Sequence, residues 1–333
     1  MTCQPYIFSN GYKIRFSEVP PADFDIGYIV LEWVESRPSI SELEEFCDGK
    51  IPSTVMVLPL RAEKVEAVQK ELSSIQPEIL LFMSKIKKLY VREVHANASF
   101  NKINGICVSR ETEFRNSKSE DSESFTLHLS AAEGKRSMGQ SSYYMWRQCF
   151  NVKKECKVEQ RKDVEKWVIT LAFPCDKRLT KEDKPAPGIY SFLPTKMVTG
   201  FPFVVQADFL LVSSRETIIF DNEWNQGILG CIPLAFCSAF SSLVNANSPP
   251  ESSYDYYKYL PADSPRYHQL AQARDDIQVQ LRMEEIVFCD SNFVGRDLGR
   301  PTETRRILPA FRSILERARQ EGQQSGLDFF LGW

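Results

Sequence analysis

Residues 228–244 read ILGCIPLAFCSAFSSLV, an apolar run inside a longer segment, residues 224–250, that carries no charged side chain. A membrane-spanning helix needs about 20 predominantly apolar residues. This run has 17 residues and contains Pro233 and three serines. Because proline suits the first turn of a helix, we expect a buried core helix that starts near Pro233 and does not cross a membrane.

The segments before this helix have the composition of β-strands. Between residues 89 and 203 long apolar runs are separated by polar or charged loops at residues 116–122 and 177–184. Consecutive strands joined in this way favour an antiparallel or mixed sheet. The expected strands are residues 89–94, 103–110, 124–129, 143–152 and 167–173. A sheet of this kind beside a core helix predicts an α+β fold.

The first 61 residues also have the pattern of β-structure. Asn10-Gly11 lies between two apolar runs and is a strong hairpin signal, because both residues tolerate positive φ. The other expected elements are strands at residues 27–33 and 54–60 and a short helix at residues 41–46. These elements are too few to cover both faces of a sheet. We therefore expect the end of a domain whose beginning is missing.

Helical periodicity begins at Ala62. Apolar residues at positions 65, 68, 72 and 75 share one helical face. A second helix is expected from Pro77 to Ile86. The lysines near its end, at positions 85, 87 and 88, favour a role in complementing the helix dipole over an anion-binding patch.

A change in composition marks a boundary near the end of the chain. Residues 248–265 hold four prolines and several serines, and ten arginines but no lysine follow Lys258. A helix is expected from Pro309 to Gln320. Local ion pairs are favoured over a shared basic surface for the arginines at positions 296, 300, 305 and 306. The predicted domains are residues 1–61, a middle domain at residues 62–247, a linker at residues 248–265 and a helical C-terminal segment at residues 266–333.

Charge and cysteine content limit the function classes. The chain has 41 Lys and Arg against 44 Asp and Glu, a net charge of −3, so neither nucleic acid nor an anionic membrane is expected as a partner. The nine cysteines form no CxxC pair and are expected to be reduced thiols. Since the first residues also lack the features of a signal peptide, we expect the nucleus or the cytoplasm.

Motifs for common catalytic chemistry are missing from the sequence. It contains no GxxxxGK[ST], GxSxG or HExxH. The three histidines, at positions 95, 128 and 268, are far apart and have no metal-ligand spacing. No catalytic residue and no metal ligand is therefore assigned.

One short motif carries a mechanism. Ser213-Ser214-Arg215-Glu216 fits a capping box, in which Ser213 accepts a hydrogen bond from the backbone amide of Glu216 while the Glu216 side chain reaches back. Arg215 then projects from the first turn of a helix, where unpaired amides favour anions, and its guanidinium can hold a phosphate in a bidentate grip. Simple helix initiation is the alternative, and the four-residue pattern alone favours it.

Four sequence blocks then follow one another over about forty residues. They are residues 188–195 (GIYSFLPT), 199–209 (TGFPFVVQADF), 213–217 (SSRET) and 224–225 (WN). Their order and spacing resemble the repeat core of sacsin and of the NO VEIN family of plant proteins, which belong with the heat-shock chaperones in the GHKL ATPase superfamily. Residues 4–12 and 54–60 resemble closing strands of the ATPase domain in the NO VEIN relatives. The resemblance extends from residue 4 to about residue 320.

The resemblance implies a partial GHKL-type sheet, followed by a chaperone-middle-like α/β sandwich domain and a short helical C-terminal segment. In the chaperones an arginine in a Ser-Arg-Glu motif contacts the terminal phosphate of the nucleotide, and this role falls on Arg215. Asp208 matches an acidic residue seven positions earlier. The chaperones carry a glutamine four residues after the arginine, where this chain has Ile219, which cannot donate a hydrogen bond from its side chain.

The nucleotide site of the superfamily is not complete in this sequence. Its Glu-x-x-x-Asn box, DxGxG turn and glycine-rich lid are missing, and residues 25–29 (DIGYI) are only half of such a turn. We therefore expect no cofactor for this chain alone. ATP and magnesium belong to a longer chain or a complex.

The resemblance implies a non-catalytic or coupling segment of a sacsin-like or NO VEIN-like, chaperone-related ATPase, acting in protein interaction or conformational coupling. Its partners are expected to be proteins, among them an upstream ATPase domain in cis or in trans. One alternative is an interaction module of a nuclear developmental regulator. A second alternative is an ATPase completed in trans, with Arg215 contacting phosphate on another chain.

Overall fold

The structure is a computed structural model that describes two compact units of the chain. The first unit takes its residues from 1–76, 89–107 and 132–136, and the second from 77–88, 108–131 and 137–333. The described residues are 5–9, 11–19, 28–34, 52–73, 75–93, 104–133, 136–175, 188–245, 255–263, 265–289 and 297–304, with residues 313, 314 and 317.

The first unit contains a four-stranded antiparallel sheet with the strand order β3-β2-β1-β4. The strands are β1 (Tyr6–Ser9), β2 (Tyr12–Val19), β3 (Tyr28–Trp33) and β4 (Thr54–Val57). Gly11 connects β1 to β2 with a φ of 92°, a value that favours glycine. The predicted hairpin is therefore confirmed.

A helix follows this sheet, α1 (Ala62–Ser73), as the period of its apolar residues predicts. None of its residues is buried. The second predicted helix is wrong, because only a 3₁₀ turn forms at Pro77–Leu80. Leu80 and the next residue, Leu81, are both buried, and the lysines that follow lead into the next strand instead of closing a helix.

Most of an eight-stranded mixed sheet lies in the second unit. Its strands are β5 (Lys88–Glu93), β6 (Asn104–Lys118), β7 (Ser122–Glu133), β8 (Arg136–Asn151), β9 (Lys166–Pro174), β10 (Ile189–Ser191), β11 (Leu193–Pro194) and β12 (Val204–Gln206). The order is β11-β10-β12-β9-β8-β7-β6-β5. Strands β10 and β12 are parallel, while β8 and β9 are antiparallel. The predicted α+β fold with a mixed sheet is confirmed.

The long strands extend further than their apolar runs predict. The loop expected at residues 116–122 is wrong in extent, because β6 continues to Lys118 and β7 begins at Ser122. The turn between them is closed by the Ser119 and Ser122 hydroxyl groups, 2.7 Å apart. Polar residues can continue a hairpin ladder, because the ladder uses backbone groups.

The core of the second unit is built around the helix α2 (Glu223–Val244). This helix is long and apolar enough to cross a membrane, but 67% of its most apolar window is buried inside the protein. The expected start near Pro233 is wrong, since the helix begins ten residues earlier at Glu223 and Pro233 lies inside it. Asn222 caps the helix by accepting a hydrogen bond of 3.0 Å from the Trp224 amide.

A further helix, α3 (His268–Leu281), packs against α2. It lies within residues 266–333, which were predicted to be helical, but its own bounds were not predicted. Before it, a 3₁₀ turn at Asp255–Tyr259 places Tyr259 in the core, where its hydroxyl donates to the Pro174 carbonyl. After it, β13 (Val287–Cys289) and β14 (Asp297–Gly299) form a two-stranded sheet. The expected elements at residues 41–46 and 177–184, and most of the helix at residues 309–320, lie outside the described residues.

Candidate functional site

Arg215 lies at the tip of a tight turn, not on a helix. Leu211 and Ile218 form an antiparallel bridge, and the Arg215 amide donates to the Val212 carbonyl over 2.8 Å. The predicted capping box is therefore wrong as a helix start, and no hydrogen bond joins Ser213 to Glu216 among the described residues. The reason is the pairing of the flanking residues: buried Ile218 pairs with Leu211 across the turn, which extends the chain where a helix requires it to coil.

The turn requires an uncommon backbone conformation. Arg215 has a φ of 59°, in the left-handed region, which costs a residue other than glycine roughly 1–2 kcal/mol. Phe192, next to β11, has a φ of 63°. These are the two described non-glycine residues with positive φ. Such strain clusters at functional sites. Arg215 lines a surface pocket, and Phe192 directly precedes Leu193, which lines the same pocket.

Asn225, in the first turn of α2, holds the base of the Arg215 turn. Its side chain is fully buried. The side-chain oxygen accepts from the Leu210 amide over 2.9 Å. The side-chain nitrogen donates to the carbonyl groups of Leu210 and Ile219, each over 2.8 Å. Asn225 thus fixes both segments that lead into and out of the turn.

Asp208, the acidic residue of the predicted motif, is held in an ion pair. The Arg161 guanidinium donates to its two carboxylate oxygens over 2.6 and 3.0 Å, and this hydrogen bonding raises the pKa of Arg161. The Asp208 carbonyl also accepts from the Trp224 indole nitrogen over 2.8 Å. The contacts of Asp208 therefore secure the segment that precedes the turn.

Glu216 is joined to Lys196 across the pocket. The Lys196 amide donates to the Glu216 carbonyl over 2.9 Å, and the two side chains form an ion pair. The Lys196 side chain is 77% exposed. Exposed pairs of this kind contribute at most about 1 kcal/mol, so an incoming anion can compete for the lysine at little cost.

A shallow pocket of about 310 Å³ lies between this turn and β11. It is lined by Leu193, Pro194, Lys196, Leu211, Ser214, Arg215 and Glu216. Two cations and one carboxylate give its wall a net positive charge. The Arg215 guanidinium makes no hydrogen bond or ion pair with any described residue. Its five donors are therefore available to a planar or tetrahedral anion.

Other reactive groups do not gather at this pocket. No cluster of three or more potential metal ligands occurs among the described residues. Burial raises the pKa of Cys231 to about 11 and that of Cys237 to about 12, so both thiols stay protonated and weakly nucleophilic at neutral pH.

The structure brings the four predicted motif residues into one region, but in different roles. Arg215 and Glu216 line the pocket, while Asp208 and Ser213 do not. Sequence reasoning missed Lys196, and the Arg161 partner of Asp208 is 47 residues away, so no local signal indicates it. Asn225 belongs to the last of the four sequence blocks, and its full burial explains why an amide is required there.

The fold and the site define an α+β protein with a cationic surface turn. The sequence is similar to the protein NO VEIN of Arabidopsis thaliana, with 26% identity over 263 residues that cover 73% of this chain. The chain spans 8% of the length of that relative. No protein-family model and no solved structure matches the chain. The chain is NO VEIN-like, and the comparisons do not extend this likeness to sacsin or to the GHKL superfamily.

Proposed function

We propose that this chain is a non-catalytic interaction and coupling segment of a NO VEIN-like protein, and that Arg215 is its contact with an anionic group of a partner. The observation that carries the proposal is the uncompensated guanidinium at the rim of a positively charged pocket. The left-handed backbone at Arg215 adds support. An arginine in this conformation lowers the stability of the protein, and such strained residues cluster at functional sites.

The pocket suits a phosphate or a carboxylate at the end of a larger molecule. Its volume is at the lower limit of small-molecule sites, which span about 300–1,000 Å³. Arginine forms paired hydrogen bonds with both kinds of anion. The ammonium group of Lys196 adds a second positive charge, and the Ser214 hydroxyl adds a further donor.

The coupling part of the proposal rests on the contacts behind the turn. An anion that pulls on Arg215 acts on a segment that Asn225 ties directly to the N-terminus of α2. That helix contributes much of the core of the second unit. These connected contacts support a mechanical link from the pocket to the core. A measured coupling between anion binding and the stability of α2 is the decisive evidence for that link.

The finer form of the proposal is that the anion is the terminal phosphate of a nucleotide held by an upstream, chaperone-related ATPase domain of the GHKL superfamily, in cis or in trans. Its support is the likeness of residues 213–217 to the family motif. The departure at Ile219 removes one donor expected there. The coarser form of the proposal is also satisfied if the anion is a phosphate or a carboxylate on another protein partner. In that case the chain can equally act as the interaction module of a nuclear developmental regulator.

The test is an NMR titration of the full chain with inorganic pyrophosphate. We expect saturable shifts of the Arg215 and Lys196 amide signals in the millimolar range, weakened by salt. Arg215→Gln should weaken binding roughly tenfold to a hundredfold, since a hydrogen bond to a charged group contributes about 1.5–3 kcal/mol. Arg282→Gln, which removes an exposed arginine outside this pocket, is the matched control. Equal weakening by both variants would refute a specific site.

A further inference from the structure

One face of the four-stranded sheet in the first unit carries a row of apolar residues that crosses all four strands. Residues paired across neighbouring strands lie on the same face of a sheet. The register aligns Met56 of β4 with Ile7 of β1, Ile7 with Ile14 of β2, and Ile14 with Trp33 of β3. We call this side of the sheet, with the alternate residues on each strand, the apolar face.

The apolar face is exposed to an unusual degree. The most exposed of its large side chains are Trp33 (70%), Leu31 (61%), Tyr12 (60%) and Met56 (57%), and Leu58, which directly follows β4, is 49% exposed. With about 200 Å² for each large side chain, these five residues expose roughly 600 Å². The largest apolar patch on a typical monomer is about 300–600 Å² and is often functional.

The opposite face of the same sheet carries most of the charged residues. Lys13, Arg15 and Glu32 lie there by register, and Arg15 donates to Glu32 over 2.6 Å in an ion pair with both side chains about two-fifths exposed. Among the described strand residues, the register places one charged residue on the apolar face, Glu18, which pairs with Ile29. A sheet with one solvated face normally turns its polar residues to water, so the apolar face has the composition of a buried surface.

The few polar groups on the apolar face are compatible with burial. The Ser9 and Thr54 hydroxyl groups, which are paired across β1 and β4, are 2.8 Å apart and hydrogen-bond to each other. Because this hydrogen bond satisfies one of the two O–H donors, covering the pair costs less than burying two unpaired hydroxyl groups.

We infer that the apolar face packs against the same face of a second copy of this chain, sheet on sheet, about a twofold axis. A standard interface buries about 800 Å² on each partner. The five exposed side chains supply most of that area, and half-buried Ile7, Ile14 and Phe16 add to it. Because Glu18, near the end of β2, is the one charged residue that the register places on this face, two copies meet with little like-charge repulsion. Tyr12 and Trp33, with ring centroids 5.8 Å apart, form an aromatic anchor for the interface.

The test is the mass of the full chain in solution, measured by sedimentation over a concentration series. We expect a dimer that dissociates in the micromolar range. Trp33→Lys and Met56→Lys, on different strands, should each abolish dimerisation, because each buries an unpaired charge at the centre of the interface. Met283→Lys is the matched control, since Met283 is a comparably exposed methionine in the other unit (64% against 57%).

Circular dichroism of each variant separates loss of assembly from loss of folding, and two variants on two strands keep the test valid if one of them fails to fold. A dimer that survives both variants would place the interface elsewhere and overturn the inference. A wild-type chain that stays monomeric over the whole concentration series would overturn the inference too. The apolar face would then bind a different protein.

Discussion

Asn225→Ala should loosen the Arg215 turn without weakening the helix α2. Alanine is a better helix former than asparagine, so the helix itself gains from the change. The loss falls on the three hydrogen bonds that Asn225 makes to the backbone of Leu210 and Ile219. The Leu210 carbonyl still accepts from the Ile219 amide over 3.0 Å, while the Leu210 amide loses its partner.

The expected cost follows from these contacts. Three hydrogen bonds at about 1 kcal/mol each amount to about 3 kcal/mol of unfolding free energy. The gain in helix propensity offsets about 0.5 kcal/mol of this. Asn222→Ala, three positions earlier, removes the single capping hydrogen bond to Trp224 and should cost about 1 kcal/mol. Asn225→Ala should therefore cost more than twice as much as Asn222→Ala.

Urea unfolding followed by tryptophan fluorescence measures both variants, since Trp146, Trp167 and Trp224 are buried in the second unit. The pyrophosphate titration supplies a second readout, because a loosened turn should weaken the shift of the Arg215 amide even while the protein remains folded. If Asn225→Ala costs no more than Asn222→Ala, or if it leaves the titration unchanged, then Asn225 does not support the turn.

Three further predictions test the core and the proposed site. Gly227→Ala places a Cβ 2.3 Å from the Trp167 ring and should destabilise the protein by about 1–3 kcal/mol, whereas Gly230→Ala, which meets no atom within 4 Å, should stabilise it by about 0.5–1 kcal/mol. Thermal unfolding of the two variants tests this prediction. Equal changes in Tm would contradict the close contact between Gly227 and the Trp167 ring. Burial raises the pKa of Cys231 from 9.0 to about 11, so the folded state retains a proton that the unfolded state releases in that interval. Stability should fall as pH rises from 9 to 11, and Cys231→Ala should reduce the slope of urea midpoint against pH. Finally, Arg215→Ala should preserve the fold yet lower any ATPase stimulation in a complex with the upstream domain roughly a hundredfold to a thousandfold. A variant that unfolds, together with a wild-type chain that does not stimulate, would make Arg215 structural.

Local signals in the sequence were sufficient where one short pattern allows one structure. The turn at Gly11 and the alternating residues of its two strands are such a case, because positive φ and a period of two both indicate a hairpin. The apolar run at residues 228–244 likewise indicated a buried helix. Its start was misplaced because Pro233 resembles a first-turn residue, while the actual cap, Asn222, lies before a stretch that is only partly apolar.

The sequence by itself determined the α+β class, the hairpin and the buried helix, and it predicted Arg215 as a phosphate contact, which stays a prediction. Only the tertiary structure decided that Ser213 to Glu216 form a turn, since the same four residues can start a helix or reverse the chain. The bridge between Leu211 and Ile218, the buried amide of Asn225 and the ion pair between Asp208 and Arg161 select the turn. The contacts of Asn225 and Arg161 reach the turn from other segments of the chain. They form only when the chain is packed, which is why no local pattern reveals them.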